Sequence, residues 1–146
     1  MQLKEITLLT EDEYKECKSV IPVIDYAWWW LKTQDSEVDI CVCIVDERGN
    51  LGGCDCSFDD GGVRPVCVFN IELANPLFWH KPEKLIGSKI KYGAYSWTIL
   101  NMENNELRIL CDEIITEYCF DPDIPVWENS KLKIWLETEC LKLINA

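Results

Sequence analysis

The chain has 146 residues, the size of a single domain with one core. Asp and Glu outnumber Lys and Arg by 26 to 14, for a formal net charge of -12, and that field excludes nucleic acid and anionic membrane surfaces as direct partners. Hydrophobic residues at 48% and seven Trp exclude a disordered chain, and no run approaches the ~18 apolar residues of a membrane-spanning helix.

Ile6 to Leu9 reads as a short strand. Thr10-Glu11-Asp12-Glu13 has the spacing of a capping box, so a helix is expected to start there and run to about Lys18. Ile21-Pro22 ends it, and the bulky run Trp28-Trp29-Trp30-Leu31 is expected to be mostly buried. Val38 to Val45 and Leu51 to Ser57 flank Asp46-Glu47-Arg48-Gly49-Asn50 and read as a hairpin. A two-residue turn at Arg48-Gly49 would set Cys41 opposite Cys56 and Cys43 opposite Cys54.

Val63 to Ile71 is a further extended stretch. Asn75-Pro76 and Lys81-Pro82 bracket an irregular connection holding Trp79 and the single histidine, His80. Lys89 to Tyr92, Ser96 to Met102 and Glu106 to Cys111 read as strands, the last two joined at Asn104-Asn105. A final helix is expected from Asn129 or Ser130, with Leu132, Trp135, Leu136, Cys140 and Leu143 on its inner face. Neither residues 1–75 nor residues 84–146 hold enough strands to close a core alone, so both are read as interlocked parts of one α+β domain, with short antiparallel sheets and about two helices.

The opening Met1-Gln2-Leu3-Lys4-Glu5 lacks the basic start and apolar run of a signal peptide, and nine Cys is an odd number. Both point to free thiols in a reducing, cytoplasmic setting. In the expected register Cys41, Cys43, Cys54 and Cys56 share one face of the hairpin. Two readings follow, a zinc site or four small side chains under the tryptophans, and structural zinc ordinarily uses Cys-x2-Cys knuckles rather than Cys-x-Cys on flat strands. No phosphate loop, dinucleotide fingerprint, zincin helix or nucleophile elbow is present, so no catalytic residue and no cofactor is assigned. Carboxylates gather at Asp35, Glu37 and Asp39 and again at Asp55, Asp59 and Asp60. These six are the candidate surface for a basic protein partner, their spacing matching no EF-hand.

Trp28-Trp29-Trp30-Leu31-Lys32, followed after a hairpin by Gly62-Val63-Arg64-Pro65, resembles the "WWLRS … GVRPA" signature of a family of small domains of unknown function in phage, prophage and Gram-positive bacterial proteins. Lys91 to Leu100, around Trp97, is similar to that family's "FGsYxWxVL" strand pair, and Trp127 to Leu136, with Trp135, to its "TWExSxLRxWL" helix start. The halves stand in swapped order relative to many longer relatives. Lys32 stands where Arg is usual, and the hairpin cysteines replace mostly small or aromatic residues.

The resemblance implies a mixed core like that of formylglycine-generating enzymes and C-type lectins, with Trp28, Trp29, Trp30, Arg64, Trp97, Trp127 and Trp135 as structural residues. Arg64 is expected to pair with a buried carboxylate. Together with the charge, the resemblance implies a non-enzymatic binding protein of phage origin in a bacterial host, in its sharpest form an anti-CRISPR-like inhibitor of a nucleic-acid-binding defence nuclease. The alternatives are a carbohydrate- or ligand-binding lectin-like module, which an exposed Phe58 would favour, and a thiol or formylglycine-type enzyme.

Overall fold

The computed structural model describes residues 2–71 and 84–145. It is an α+β fold with two five-stranded sheets, and the connection with Trp79 and His80 lies outside the described residues. The first sheet has the order β1 (Gln2–Thr7), β6 (Val66–Asn70), β9 (Glu106–Cys111), β8 (Tyr95–Glu103) and β7 (Lys89–Tyr92), antiparallel throughout. The second runs β10 (Thr116–Glu117), β5 (Gly62–Val63), β2 (Trp29–Gln34), β3 (Cys41–Val45) and β4 (Leu51–Asp55), antiparallel except for the parallel pair β2–β5.

The capping box forms as read. Thr10 N–H donates to Glu13 Oε1 at 2.9 Å and Glu13 N–H to Thr10 Oγ1 at 3.1 Å, which starts α1 (Glu11–Cys17). A 3-10 turn, Lys18–Val20, follows and stops before Ile21-Pro22. The first strand is earlier than expected, Gln2–Thr7 rather than Ile6 to Leu9, because β1 pairs along β6 from Gln2 opposite Asn70 to Thr7 opposite Val66. Leu8 and Leu9 lie beyond it, buried.

The stretch expected over Val63 to Ile71 is two strands in different sheets. Pro65 donates no N–H, so the ladder breaks at Arg64-Pro65 and the chain crosses from β5 to β6. The parts interleave: β6 lies between β1 and β9, and β10 returns to β5.

Strand alternation feeds two buried clusters. Trp30, Val42, Ile44, Cys67, Phe69, Ile109 and Cys111 face one, which the C-terminal helix covers, while Trp29, Leu31, Cys43, Val45, Val66, Val68 and Leu110 face the other with Tyr14 of α1. Both faces are therefore apolar. Trp29 and Trp30 are fully buried and Trp28 half-buried, with Trp28 edge-on to Trp30 at 4.9 Å. Each such aromatic pair adds about 1 kcal/mol beyond the area it buries.

The helix begins with Ser130, whose hydroxyl accepts the Lys133 N–H at 3.1 Å, as the N-cap reading requires. It runs as α2 (Lys131–Trp135), a π turn (Leu136–Cys140) and α3 (Leu141–Ile144). That wider turn corrects the expected inner face. Leu132, Leu136, Cys140 and Ile144 are buried at four-residue spacing, while Leu143 is 39% exposed and Trp135 half-buried.

Candidate functional site

The hairpin register corrects the cysteine reading. Observed pairs are Cys41 with Asp55, Val42 with Cys54 and Cys43 with Gly53, one residue off the expected set. The loop is the cause. Asp46 Oδ1 accepts the N–H of Arg48 and of Asn50, both at 2.9 Å, and Gly49 donates to Asp46 O at 3.0 Å with φ +83°. This is a three-residue loop closed by a left-handed glycine, and a one-residue slip turns a strand over. Cys41 and Cys43 consequently face one side, and Cys54, partnered with Val42, faces the other. Cys43 packs in the cluster of Tyr14 and Trp29, and Cys56 in that of Trp30 and Phe120. Four thiols do not share a patch. Among the described residues no group of three or more His, Cys, Asp or Glu is placed to hold a metal ion.

All nine thiols are free, and each has its pKa shifted upward, with burial as the leading cause. Cys43 is pushed up to about 12 by burial, then by its 3.2 Å hydrogen bond to Glu11 Oε2. A nucleophilic thiol needs the opposite shift.

Arg64 also departs from expectation. It is fully buried, yet among the described residues it has no carboxylate partner. Its Nε donates to the Cys111 carbonyl at 2.7 Å and its guanidinium lies 4.8 Å over the Trp29 ring. Desolvation lowers its pKa to about 10. The remaining structural tryptophans are packed or stacked: Trp97 donates Nε1–H to Tyr92 O at 2.9 Å, Trp127 tilts against Phe120 at 5.9 Å, and Trp135 stacks on Tyr118 at 5.1 Å.

The two loops that carry the six candidate carboxylates stand side by side at one end of the second sheet. Because Cys41 opens β3 opposite Asp55 at the close of β4, the loop after β2, with Asp35, Glu37 and Asp39, stands beside the loop after β4, with Asp59 and Asp60. Asp35 N–H donates to Cys41 O at 2.9 Å, which draws Asp35 onto the hairpin. Glu37, Asp39, Asp59 and Asp60 are exposed, and Asp35 and Asp55 half-buried. None takes part in an ion pair among the described residues.

No family model matches the chain, and no curated protein and no solved structure matches it.

Two carboxylates hold their loops in shape. Asp35 Oδ1 accepts the N–H of Glu37 at 2.8 Å and of Val38 at 3.3 Å, and Asp55 Oδ1 accepts from Ser57 N–H at 2.9 Å and Ser57 Oγ–H at 2.7 Å. The Ser57 bonds lower the Asp55 pKa, so its charge persists below the usual carboxylate range.

Glu11, which sequence reasoning left in the capping box alone, reaches the same region. With Asp35, Glu37, Cys43, Leu51 and Gly52 it lines a cleft of ≈ 200 Å³. No local signal marks it, since its nearness to Asp35 depends on α1 packing across β2 and β3. Carboxylates further along the chain are used otherwise: Asp112 pairs with Lys89 at 3.1 Å, and Asp121 accepts the N–H groups of Asp123, Ile124 and Lys131. Phe58, in the loop after β4, is 52% exposed. No helix among the described residues is long and apolar enough to cross a membrane.

Proposed function

We propose that this chain is a non-enzymatic binding protein of phage or prophage origin, acting inside a bacterial cell by contact with a basic protein partner. The observation that carries the reading is the set Asp35, Glu37, Asp39, Asp55, Asp59 and Asp60, carried on two neighbouring loops at one sheet end with no ion pair among the described residues. Like charges held together raise their mutual repulsion, which a basic partner relieves. Two of the six are fixed by hydrogen bonds to their own loops, so part of the ordering is done before the partner arrives.

In its sharpest form the partner is a host defence nuclease, and the carboxylates occupy the groove that receives phosphates, as an anti-CRISPR-like inhibitor would. The test is capture from a bacterial lysate on immobilised protein at low and high salt. Recovery of a basic nucleic-acid-binding protein at low salt, released at high salt, is the expected result. Recovery of no such protein overturns the reading.

Exposed Phe58 favours a second reading, a lectin-like or formylglycine-generating-enzyme-like core that presents its loops to a carbohydrate. Aromatic faces stack on sugar rings, and Phe58→Ala would then abolish retention on a glycan array while leaving lysate capture intact.

A further inference from the structure

The second sheet is open along β4. Leu51–Asp55 pairs with β3 on one side and with no strand on the other among the described residues. Alternation fixes which groups face outward. Cys56 N–H donates to Ile40 O at 3.0 Å and Asp46 N–H to Asn50 O at 2.8 Å, so the even-numbered positions of β4 turn toward β3. The N–H and C=O of Leu51 and Gly53 therefore point away from the sheet.

Natural edge strands are commonly blunted with Lys, Pro or a bulge. Leu51-Gly52-Gly53-Cys54-Asp55 carries none of these, and Leu51, Gly52 and Gly53 are all exposed. The two glycines leave the backbone bare. Gly53 has a further role: a Cβ there would collide with Asp35 Oδ2, so its absence lets that carboxylate rest on the outer strand.

We propose that β4 is a docking edge for an extended basic segment of a partner protein, which adds a strand against Leu51 and Gly53 and sets a Lys or Arg side chain against Asp35 and Glu37, in the cleft whose other carboxylate, Glu11, is already paired with Lys15 at 3.0 Å. The proposal rests on the acidic-contact reading and names how the contact is made. Main-chain bonds to an open edge supply affinity, and every second side chain of the added strand supplies specificity. The residue opposite Gly53 projects to the face on which Asp35 lies, so a cation there meets the carboxylate directly. Charge selects this occupant over a second copy of the chain. Antiparallel pairing of two β4 strands about Gly53 would bring the Asp35 carboxylates of both copies together and set each Asp55 opposite a Leu51, between molecules of net charge -12 each.

The probes are two synthetic peptides, Thr-Val-Lys-Val-Thr and Thr-Val-Glu-Val-Thr, and a folded basic protein, cytochrome c, titrated into isotope-labelled protein and followed by amide NMR and hydrogen exchange. The Lys peptide should shift Leu51 and Gly53, slow their exchange and bind about ten-fold tighter than the Glu peptide. Asp35→Asn should remove that preference. Leu51→Pro, which deletes an outward N–H at the first residue of the strand, should abolish the protection at Gly53; if its melt shows it unfolded, the wild-type exchange at Gly53 decides. Equal affinity for the two peptides, no binding of either, unchanged exchange at Leu51 and Gly53, or a β4-paired homodimer would each overturn the proposal. Shifts at the six carboxylates with cytochrome c alone would overturn the docking edge and leave the acidic-contact reading standing; no response to any probe would overturn both.

Discussion

Arg64 covers Trp29. Its guanidinium lies 4.8 Å above the ring centre, its Nε bonds the Cys111 carbonyl, and its two terminal nitrogens are buried without a hydrogen-bond partner among the described residues. The contact ties the crossover between the sheets to the tryptophan run, at the cost of an unpaired desolvated charge. Arg64→Ala should lower stability by about 3 kcal/mol or more through the cavity and the abandoned carbonyl. Arg64→Met keeps much of the volume and removes the charge, so it should cost less than the alanine. Urea unfolding of both variants checks the order, and a methionine variant weaker than the alanine one would show that the charge itself stabilises.

Gly61 packs flat against Trp30. A Cβ there would collide with the indole nitrogen that donates to Tyr118 O at 2.8 Å. Gly61→Ala should destabilise by about 2–3 kcal/mol, because a fully buried indole has nowhere to retreat. The same change at exposed Gly52, where a Cβ meets only Ile44 at ordinary contact distance, should cost under about 1 kcal/mol. Thermal melts of the two variants make the comparison.

The thiols predict an alkaline limit. Cys43 and Cys140 are pushed up to about 12, and Cys54, Cys56 and Cys111 to about 11, from an ordinary value of 9.0. The folded state thus keeps protons that the unfolded chain loses. This stability is fully present below about pH 9 and is lost as pH rises toward the folded values. Melting temperature should be level from about pH 7 to 8.5 and fall beyond it, and alkylation at neutral pH should find no thiol faster than free cysteine. One fast thiol would revive the enzyme reading.

Gly49 sets the register that separates the cysteine pairs. Its φ of +83° disfavours any side chain, and its carbonyl accepts the Tyr14 hydroxyl at 2.6 Å. Gly49→Ala should cost about 1 kcal/mol. Protein purified without chelators should contain less than a molar equivalent of zinc; a full equivalent by elemental analysis would contradict the opposite-face arrangement.

What was legible in the sequence was local. The Thr10–Glu13 capping box needs four adjacent residues, and the turn at Asn104-Asn105, both at positive φ, needs two. The hairpin register failed because a two-residue and a three-residue loop differ only in how Asp46 folds back on Arg48 and Asn50, which composition does not encode. The break at Arg64-Pro65 was disguised by continuous apolar residues, since β5 and β6 on either side of it are buried on both faces. The six carboxylates were legible as residues. Their meeting at one sheet end depends on Cys41 standing opposite Asp55, a long-range pairing, and Glu11 joins them only through the docking of α1.

The account stands on the acidic end of the second sheet, and a charge-neutralised variant tests it most directly. Asp35, Glu37, Asp39, Asp55, Asp59 and Asp60 are changed together to Asn or Gln, folding is verified by the melt, and the affinity of wild type and variant for the captured basic partner is measured across salt. We predict at least about a hundred-fold loss at low salt and a flattened salt dependence in the variant. An unchanged affinity in a folded variant would contradict the account.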